Sequence, residues 1–170
     1  MNAVAQVARL GEFAPEPIRD FLAGYGLRLE LVAEDEDIPA SYWGAPEAGL
    51  IGNTLYARAD TPLHSILHTA CHWLCMDPAR RLSVHTDAGG DDAEEVAVCY
   101  LQCLLADAIP GYGRSRLFAD MDAWGYHFRL GSARRWFEED AEDARAWLAR
   151  AGLLEPAVID PQRSQGHTAA

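Results

Sequence analysis

The pattern of apolar and polar residues divides the first sixty residues into a predicted helix, two predicted strands and a loop between the strands. Glu16 to Tyr25 predicts a helix, opened by prolines and stopped by a glycine. Apolar and charged residues then alternate from Leu27 to Ala33, which is typical of a half-buried strand. An acidic and then Pro-, Gly- and Ala-rich stretch from Glu34 to Gly49 indicates a loop. Leu50 to Arg58 predicts a second strand, in which Gly52-Asn53 weakens the pattern or marks a bulge.

The remainder of the chain has a mainly helical pattern, interrupted after Asp77-Pro78 by a predicted polar loop. Helices are predicted from a cap at Asp60 or Thr61 to Met76, from Asp91 to Ala108, from Ser115 to Ala123 and from Ser132 to Ala151. We therefore expect an α+β fold in which a small sheet packs on a helical half with a central helix hairpin. The expected organisation is one domain over residues 1–154 and a polar tail over residues 155–170.

Composition narrows the classes of function. The 170 residues carry a formal net charge of −12, which argues against nucleic acid or an anionic membrane as the main partner. All 14 basic residues are Arg, so Schiff-base chemistry, a Walker-type phosphate loop and a lysine general base are excluded. No secretory signal or long apolar run is visible, and we expect a cytoplasmic protein without a membrane span.

Three histidines of the central predicted helix, His64, His68 and His72, are four residues apart. Each step of four residues advances about 400° around a helix, so the imidazoles lie about 40° apart on one face. Two histidines at this spacing can bind one metal ion. Spacing alone does not choose between the two pairs, but His68 and His72 lie deeper in the apolar run, whereas His64 is near the helix start. The alternative is three ordinary helix histidines with hydrogen-bonded rings.

A third ligand must come from another segment of the chain. The next predicted helix begins with an acidic run, Asp91 to Glu95, which can supply a carboxylate if the two helices pack as an antiparallel hairpin. Two histidines and one carboxylate leave coordination positions open and suit non-haem iron.

The run Ser65 to Trp73, SILHTACHW, resembles the S-x-L-H-E-x-x-H-W segment of the elongation factor P hydroxylases, small bacterial iron proteins with a zincin-like core. The resemblance covers about the central third of the chain. It extends back through Leu50 to Ala57, and forward through Ala79-Arg80-Arg81 and from Asp92 to Leu105.

The resemblance implies His68, His72 and Glu95 as iron ligands, because Glu95 falls on the family's acidic ligand position. The ligand types by themselves leave the ion open between Fe(II) and Zn(II). It also implies an iron- and dioxygen-dependent hydroxylation of a side chain on a protein substrate, a translation factor. The acidic net charge counts against electrostatic steering toward an acidic factor.

Thr69 departs from the family pattern, which has Glu directly after the first motif histidine. That Glu is the usual general base or proton shuttle beside the metal-bound water, and Thr cannot take its proton. Peptide hydrolysis by the ordinary zincin route is therefore disfavoured, whereas oxygen chemistry is less clearly excluded. His64 and Glu94 are the candidate catalytic residues that could substitute.

Four cysteines occur as two pairs, each pair four residues apart on one predicted helix. They could be buried core thiols, two cross-helix disulfides or a tetrathiolate metal site. They are Cys71 and Cys75 on one helix, and Cys99 and Cys103 on the next.

Three functions other than an oxygenase are also compatible with the sequence. The first is a binding or regulatory protein that keeps the zincin fold without catalysis. The second is a metal-dependent hydrolase of unusual mechanism. The third is a thiol-containing helical interaction domain without a metal.

Overall fold

The computed structural model describes residues 6–155 and residue 158, and within them it confirms the expected α+β class. A three-stranded sheet packs beside a helical half. The strands are β1 (Arg28–Leu31), β2 (Gly49–Ile51) and β3 (Thr54–Ala57). The helices are α1 (Pro15–Ala23), α2 (Leu63–Cys75), α3 (Pro78–Ser83), α4 (Asp92–Leu105), α5 (Arg114–Trp124), α6 (Ala133–Glu139) and α7 (Glu142–Arg150), with short 3-10 turns at Leu10–Glu12 and Ala106–Ala108.

The sheet is mixed, with the strand order β1-β3-β2. β1 pairs with β3 in parallel and β2 pairs with β3 in antiparallel fashion. The alternation that predicted β1 is visible at its start, where Arg28 is exposed and Leu29 is buried, whereas Leu31 at its end is 40% exposed. The single strand predicted from Leu50 to Arg58 is wrong: Gly52 and Asn53 form the turn of a hairpin, and Gly52 has a φ of +56° that favours glycine.

The centre of the core is α2, which packs against α4. Ten of the 13 residues of α2 are buried, including its aliphatic side chains Leu63, Ile66 and Leu67. The two helices run antiparallel, because the C-terminal half of α2 contacts the first turn of α4 while His64 lies opposite Gln102. This is the helix hairpin expected from the sequence.

Helix boundaries differ from the prediction at three places. The predicted polar loop after Asp77 begins with α3, because Asp77 accepts a hydrogen bond from the backbone N–H of Arg80 at 2.9 Å and thus starts a helix. The cap predicted at Asp60 or Thr61 is instead Pro62. The long helix predicted from Ser132 to Ala151 is two helices, interrupted at Asp140 and Ala141.

The interruption between α6 and α7 follows from packing. Trp136 of α6 is buried beside Tyr100 of α4, and Ala144 and Leu148 of α7 are also buried. Asp140 leaves the helical conformation with φ −138° and ψ 19°, which redirects the chain between the two short helices. Of the predicted tail, residues 156, 157 and 159–170 lie outside the described residues. Among the described residues, no helix combines the length and the apolar character that a membrane crossing requires.

Candidate metal centre

The histidine face of α2 meets the first turn of α4. His68 Nε2 lies 2.9 Å from Oε1 of Glu95, and His72 Nε2 lies 2.8 Å from Oε2 of the same carboxylate. The ligand atoms of the three side chains all lie within 4.8 Å of one another. Within residues 6–155 and 158, this is the only group of three or more His, Cys, Asp or Glu side chains with such geometry. The structure therefore brings together the three residues that the sequence predicted as ligands.

The orientation of His68 follows from Gln102, a fully buried residue on α4. The amide Nε2 of Gln102 donates to the backbone carbonyl of His64 at 2.7 Å, so its Oε1 must be the acceptor. Oε1 lies 3.1 Å from Nδ1 of His68, which must then carry the proton. Nε2 of His68, which faces Glu95, is consequently the nitrogen with which His68 can bind a metal ion once its proton is displaced.

The pKa shifts of Glu95 and His68 also favour a positive charge between the two side chains. Hydrogen bonds from His68 and then from His72 lower the pKa of Glu95 well below its usual range, although burial opposes the shift. Burial disfavours the charged form of His68, but Tyr126, Cys99 and Glu95 raise the pKa of His68 above its usual range. The lowered pKa of Glu95 and the raised pKa of His68 both favour positive charge at the place where a divalent cation would be bound. The donor set fits iron or zinc, since imidazole nitrogen and carboxylate oxygen are ligands of both ions.

The three side chains line an open cleft of about 900 Å³. The loop before β2, the segment from Thr86 to Gly89 and the end of α5 with the two residues after it also line this cleft. Thr69 also lines the cleft, so the position that carries Glu in the family pattern faces the same space. A small molecule or an extended side chain can therefore reach the candidate ligands.

His64, one of the two predicted accessory residues, lies at the buried start of α2. It is 0% exposed, and its Nδ1 lies 3.1 Å from the hydroxyl of Tyr126. Its Nε2 has no hydrogen-bond partner among the described residues. Burial, together with the charges of His68 and Arg9, lowers the pKa of His64 from 6.5 to about 3. An imidazole of such low basicity is a poor proton acceptor at neutral pH.

Glu94, the other predicted accessory residue, contacts Arg80 of α3. Its two carboxylate oxygens accept hydrogen bonds from Arg80 at 2.8 and 2.9 Å. The side chain is 7% exposed and does not line the cleft. This arrangement gives Glu94 a role in holding α3 against α4.

Two polar residues of the site were not singled out from the sequence. Gln102 interrupts an otherwise apolar helix run, which is a signal for a buried polar contact that sequence reasoning could have used. Glu47 lies on the loop wall of the cleft, and its Oε1 accepts a hydrogen bond from Trp124 Nε1 at 3.1 Å. No sequence periodicity points to Glu47, because it lies in the irregular segment before β2.

The four cysteines are free thiols. Burial raises the pKa of Cys71 and of Cys103 above the usual range, and it raises the pKa of Cys75 to about 12. Cys99 lies next to His68. Of the three states considered from the sequence, this arrangement corresponds to core thiols.

Comparisons with protein-family models, with curated proteins and with solved structures found no match to this chain. The likeness to the elongation factor P hydroxylases therefore stays a prediction from the residues of the motif and its flanks. The class of protein that the fold and the site define is an α+β protein with a two-histidine, one-carboxylate cluster in an open cleft.

Proposed function

We propose that this protein binds one Fe(II) or Zn(II) ion through His68, His72 and Glu95 in a zincin-like core. We further propose that it is a metal-dependent hydroxylase acting on a protein side chain. The observation that carries the proposal is the convergence of the two imidazole nitrogens on one carboxylate in the wall of an open cleft, with ligand atoms within 4.8 Å of one another.

The identity of the ligands supports an oxygenase rather than a structural metal site. Structural zinc sites are closed by four protein ligands, whereas three ligands leave positions for a substrate or a small molecule. Bound iron would supply the activation of dioxygen, and the two-histidine, one-carboxylate set is the arrangement used by non-haem iron oxygenases.

Residues of this chain would bind the metal ion and orient its ligands. Gln102 holds the ring of His68 by a hydrogen bond at 3.1 Å, which fixes the tautomer that leaves Nε2 free to bind. Glu95 lies in the first turn of α4, where the helix dipole also favours a carboxylate. The cleft has a volume of about 900 Å³, which is large enough for a side chain of a partner protein and supports a protein substrate.

A second candidate is a catalytically inactive binding or regulatory protein of the same fold, and Thr69 favours it. Thr69 faces the cleft beside His68 but cannot transfer the proton that the motif glutamate transfers in related sites. A hydrolase is less favoured for the same reason, since water activation in zincins depends on that carboxylate.

Metal analysis of protein purified without a histidine tag tests the ligand assignment. We expect about one equivalent of iron or zinc per chain, lost in the double variant His68→Ala, His72→Ala. The double variant His85→Ala, His127→Ala is a matched control, because it removes two exposed histidines outside the cluster. Full occupancy in the ligand variant would refute the site.

Mass mapping of peptides then separates an oxygenase from an inactive relative. Candidate partner proteins, elongation factor P first among them, are incubated with Fe(II)-loaded protein in air and an added reductant, which supplies the two electrons that reduce the second oxygen atom of dioxygen to water. We expect a mass increase of one oxygen atom on one peptide, absent with the ligand variant and absent without oxygen. Metal binding without any such product across the candidates would favour the binding or regulatory function.

A further inference from the structure

The cleft contains a second carboxylate that the ligand cluster does not use. Glu47 lies on the loop wall and shares the cleft with His68, Thr69 and Glu95. Two hydrogen bonds hold the loop at this residue and the next: Trp124 of α5 donates to Glu47 Oε1 at 3.1 Å, and Ala48 donates its backbone N–H to Ser65 Oγ of α2 at 2.9 Å. The carboxylate is thus held in place by two helices of the domain.

The other carboxylates nearby are committed to different contacts. Glu94 pairs with Arg80 through both oxygens, and Glu95 contacts both ligand histidines. Asp87 is exposed and accepts a hydrogen bond from the backbone N–H of Gly89 at 2.8 Å. Glu47 forms no ion pair with any arginine of residues 6–155, and within the same residues its Oε2 accepts no hydrogen bond. One oxygen of Glu47 is therefore available to the cleft.

The surroundings of Glu47 also favour proton exchange. Partial burial raises the pKa of this carboxyl above its ordinary value of 4.5, while the hydrogen bond from Trp124 and the charge of His68 partly offset the rise. A carboxylate with a raised pKa is a better proton acceptor than one with the ordinary value. The same half-buried position keeps bulk water away from one side of the group.

We propose that Glu47 is the proton-transfer residue of the metal cleft, in place of the carboxylate that Thr69 lacks. This inference rests on the proposed function, since it assigns a role within the same site. Glu47 accepts the proton of a water molecule or hydroxyl in the cleft onto Oε2. The O–H bond breaks, its electron pair stays on the oxygen, and the carboxyl later returns the proton to the product.

Cobalt(II) is a suitable probe because it binds nitrogen and oxygen donors and has visible absorption that depends on its surroundings. The spectrum of cobalt-loaded wild type is recorded against pH, over the range in which cobalt stays bound. The other titratable groups that line the cleft are Tyr42, His68, His72, Asp87, Glu95 and Tyr126. All of them are kept in Glu47→Gln and in Trp124→Phe, and Asp87 is replaced only in its own control variant.

Glu47→Gln is the main variant, because its amide oxygen can still accept the hydrogen bond from Trp124. We expect wild type to have a spectral transition as Glu47 titrates, and we expect Glu47→Gln to lose it while it binds cobalt in the same stoichiometry. Asp87→Asn is the matched control, which removes a cleft carboxylate with a different contact and should retain the transition.

Trp124→Phe gives an independent measurement that does not depend on the folding of the glutamine variant. It keeps an aromatic ring beside His64 but removes the N–H donor to Glu47. Since that hydrogen bond lowers the pKa of Glu47, we expect the transition to move to higher pH.

The outcomes separate the two proposals. Failure of wild type to bind cobalt would overturn both the metal site and the role of Glu47. Cobalt binding with an unchanged pH profile in Glu47→Gln and in Trp124→Phe would overturn the role of Glu47 alone. Loss of cobalt from folded Glu47→Gln would also overturn that role, because it would make Glu47 a ligand.

Discussion

Replacement of Arg80 by Met is expected to destabilise the fold more than replacement of its partner Glu94 by Gln. The side chain of Glu94 is 7% exposed and that of Arg80 is 33% exposed, so the two ends of the ion pair differ in their access to water. Arg80 binds both oxygens of Glu94 and also donates to the carbonyl of Ala88 at 2.8 Å. Without the guanidinium, a buried carboxylate loses its charged partner, whereas the guanidinium left without Glu94 can still reach water.

The loss of unfolding free energy expected for Arg80→Met lies between two limits. Removal of one partner from a fully buried ion pair costs about 3–5 kcal/mol, and an exposed pair contributes about 0–1 kcal/mol. Because Arg80 is one-third exposed, we expect Arg80→Met to cost about 2 kcal/mol of unfolding free energy. Glu94→Gln keeps an oxygen acceptor for Arg80, and we expect a cost of about 1 kcal/mol.

Urea unfolding followed by circular dichroism at neutral pH measures these differences, provided that the dependence on urea concentration is the same in all variants. Arg28→Met is the matched control, because Arg28 pairs with Glu30 at 2.7 Å but the side chains are 70% and 46% exposed. Its cost should be below about 0.5 kcal/mol. Equal stability of Arg80→Met and Arg28→Met would refute the reasoning. A larger loss in Glu94→Gln than in Arg80→Met would show that Glu94 has a further role.

Three further predictions concern the loop, the buried imidazole and the thiols. Gly49→Ala should cost at least about 2 kcal/mol in the same urea assay, because a Cβ there would overlap the carbonyl oxygen of Pro39; wild-type stability would contradict the packing. His64 has its pKa lowered from 6.5 to about 3, so the unfolded chain binds a proton that the folded protein does not. The stability that neutral His64 contributes is fully present above its unfolded-state pKa of 6.5 and is lost as the pH falls from 6.5 toward 3. The difference in unfolding free energy between wild type and His64→Gln should therefore change by up to about 1.4 kcal/mol per pH unit in that window. Parallel pH profiles of the two proteins would exclude this effect. Cys71 and Cys103 should react with a thiol reagent only on unfolding, because burial raises their pKa; rapid labelling of the native protein would contradict their placement in the core.

The ligand cluster could be predicted from the sequence because its parts are local. The spacing of His68 and His72 places both on one helix face without any tertiary information. Glu95 required the family register, since spacing did not distinguish it within an acidic run. The choice is consistent with the observed antiparallel packing, in which the first turn of α4 lies beside the second half of α2. Whether the cluster binds an ion stays a prediction.

The elements that were mispredicted have ambiguous local signals. Asp77-Pro78 ends α2, but the same two residues cap and start α3. Gly52 fits a bulge in one strand as well as the turn between two, and only pairing between β2 and β3 decides. A continuous helical pattern from Ser132 to Ala151 does not reveal that packing divides it into two helices. In each case the deciding interaction involves residues outside the local window.

The partners of the groups around the ligands could not be predicted for the same reason, and this bears on Thr69. Glu47 and Trp124 are 77 residues apart in the chain, and His68 and Gln102 are 34 apart. A prediction based only on Thr69, the residue after His68, finds no carboxylate and therefore expects loss of catalysis. The fold nevertheless brings a carboxylate into the same cleft from the loop before β2. Metal binding would depend on the core helices and proton transfer on the loop before β2. The threonine at position 69 therefore does not exclude a proton acceptor, because the cleft also contains Glu47.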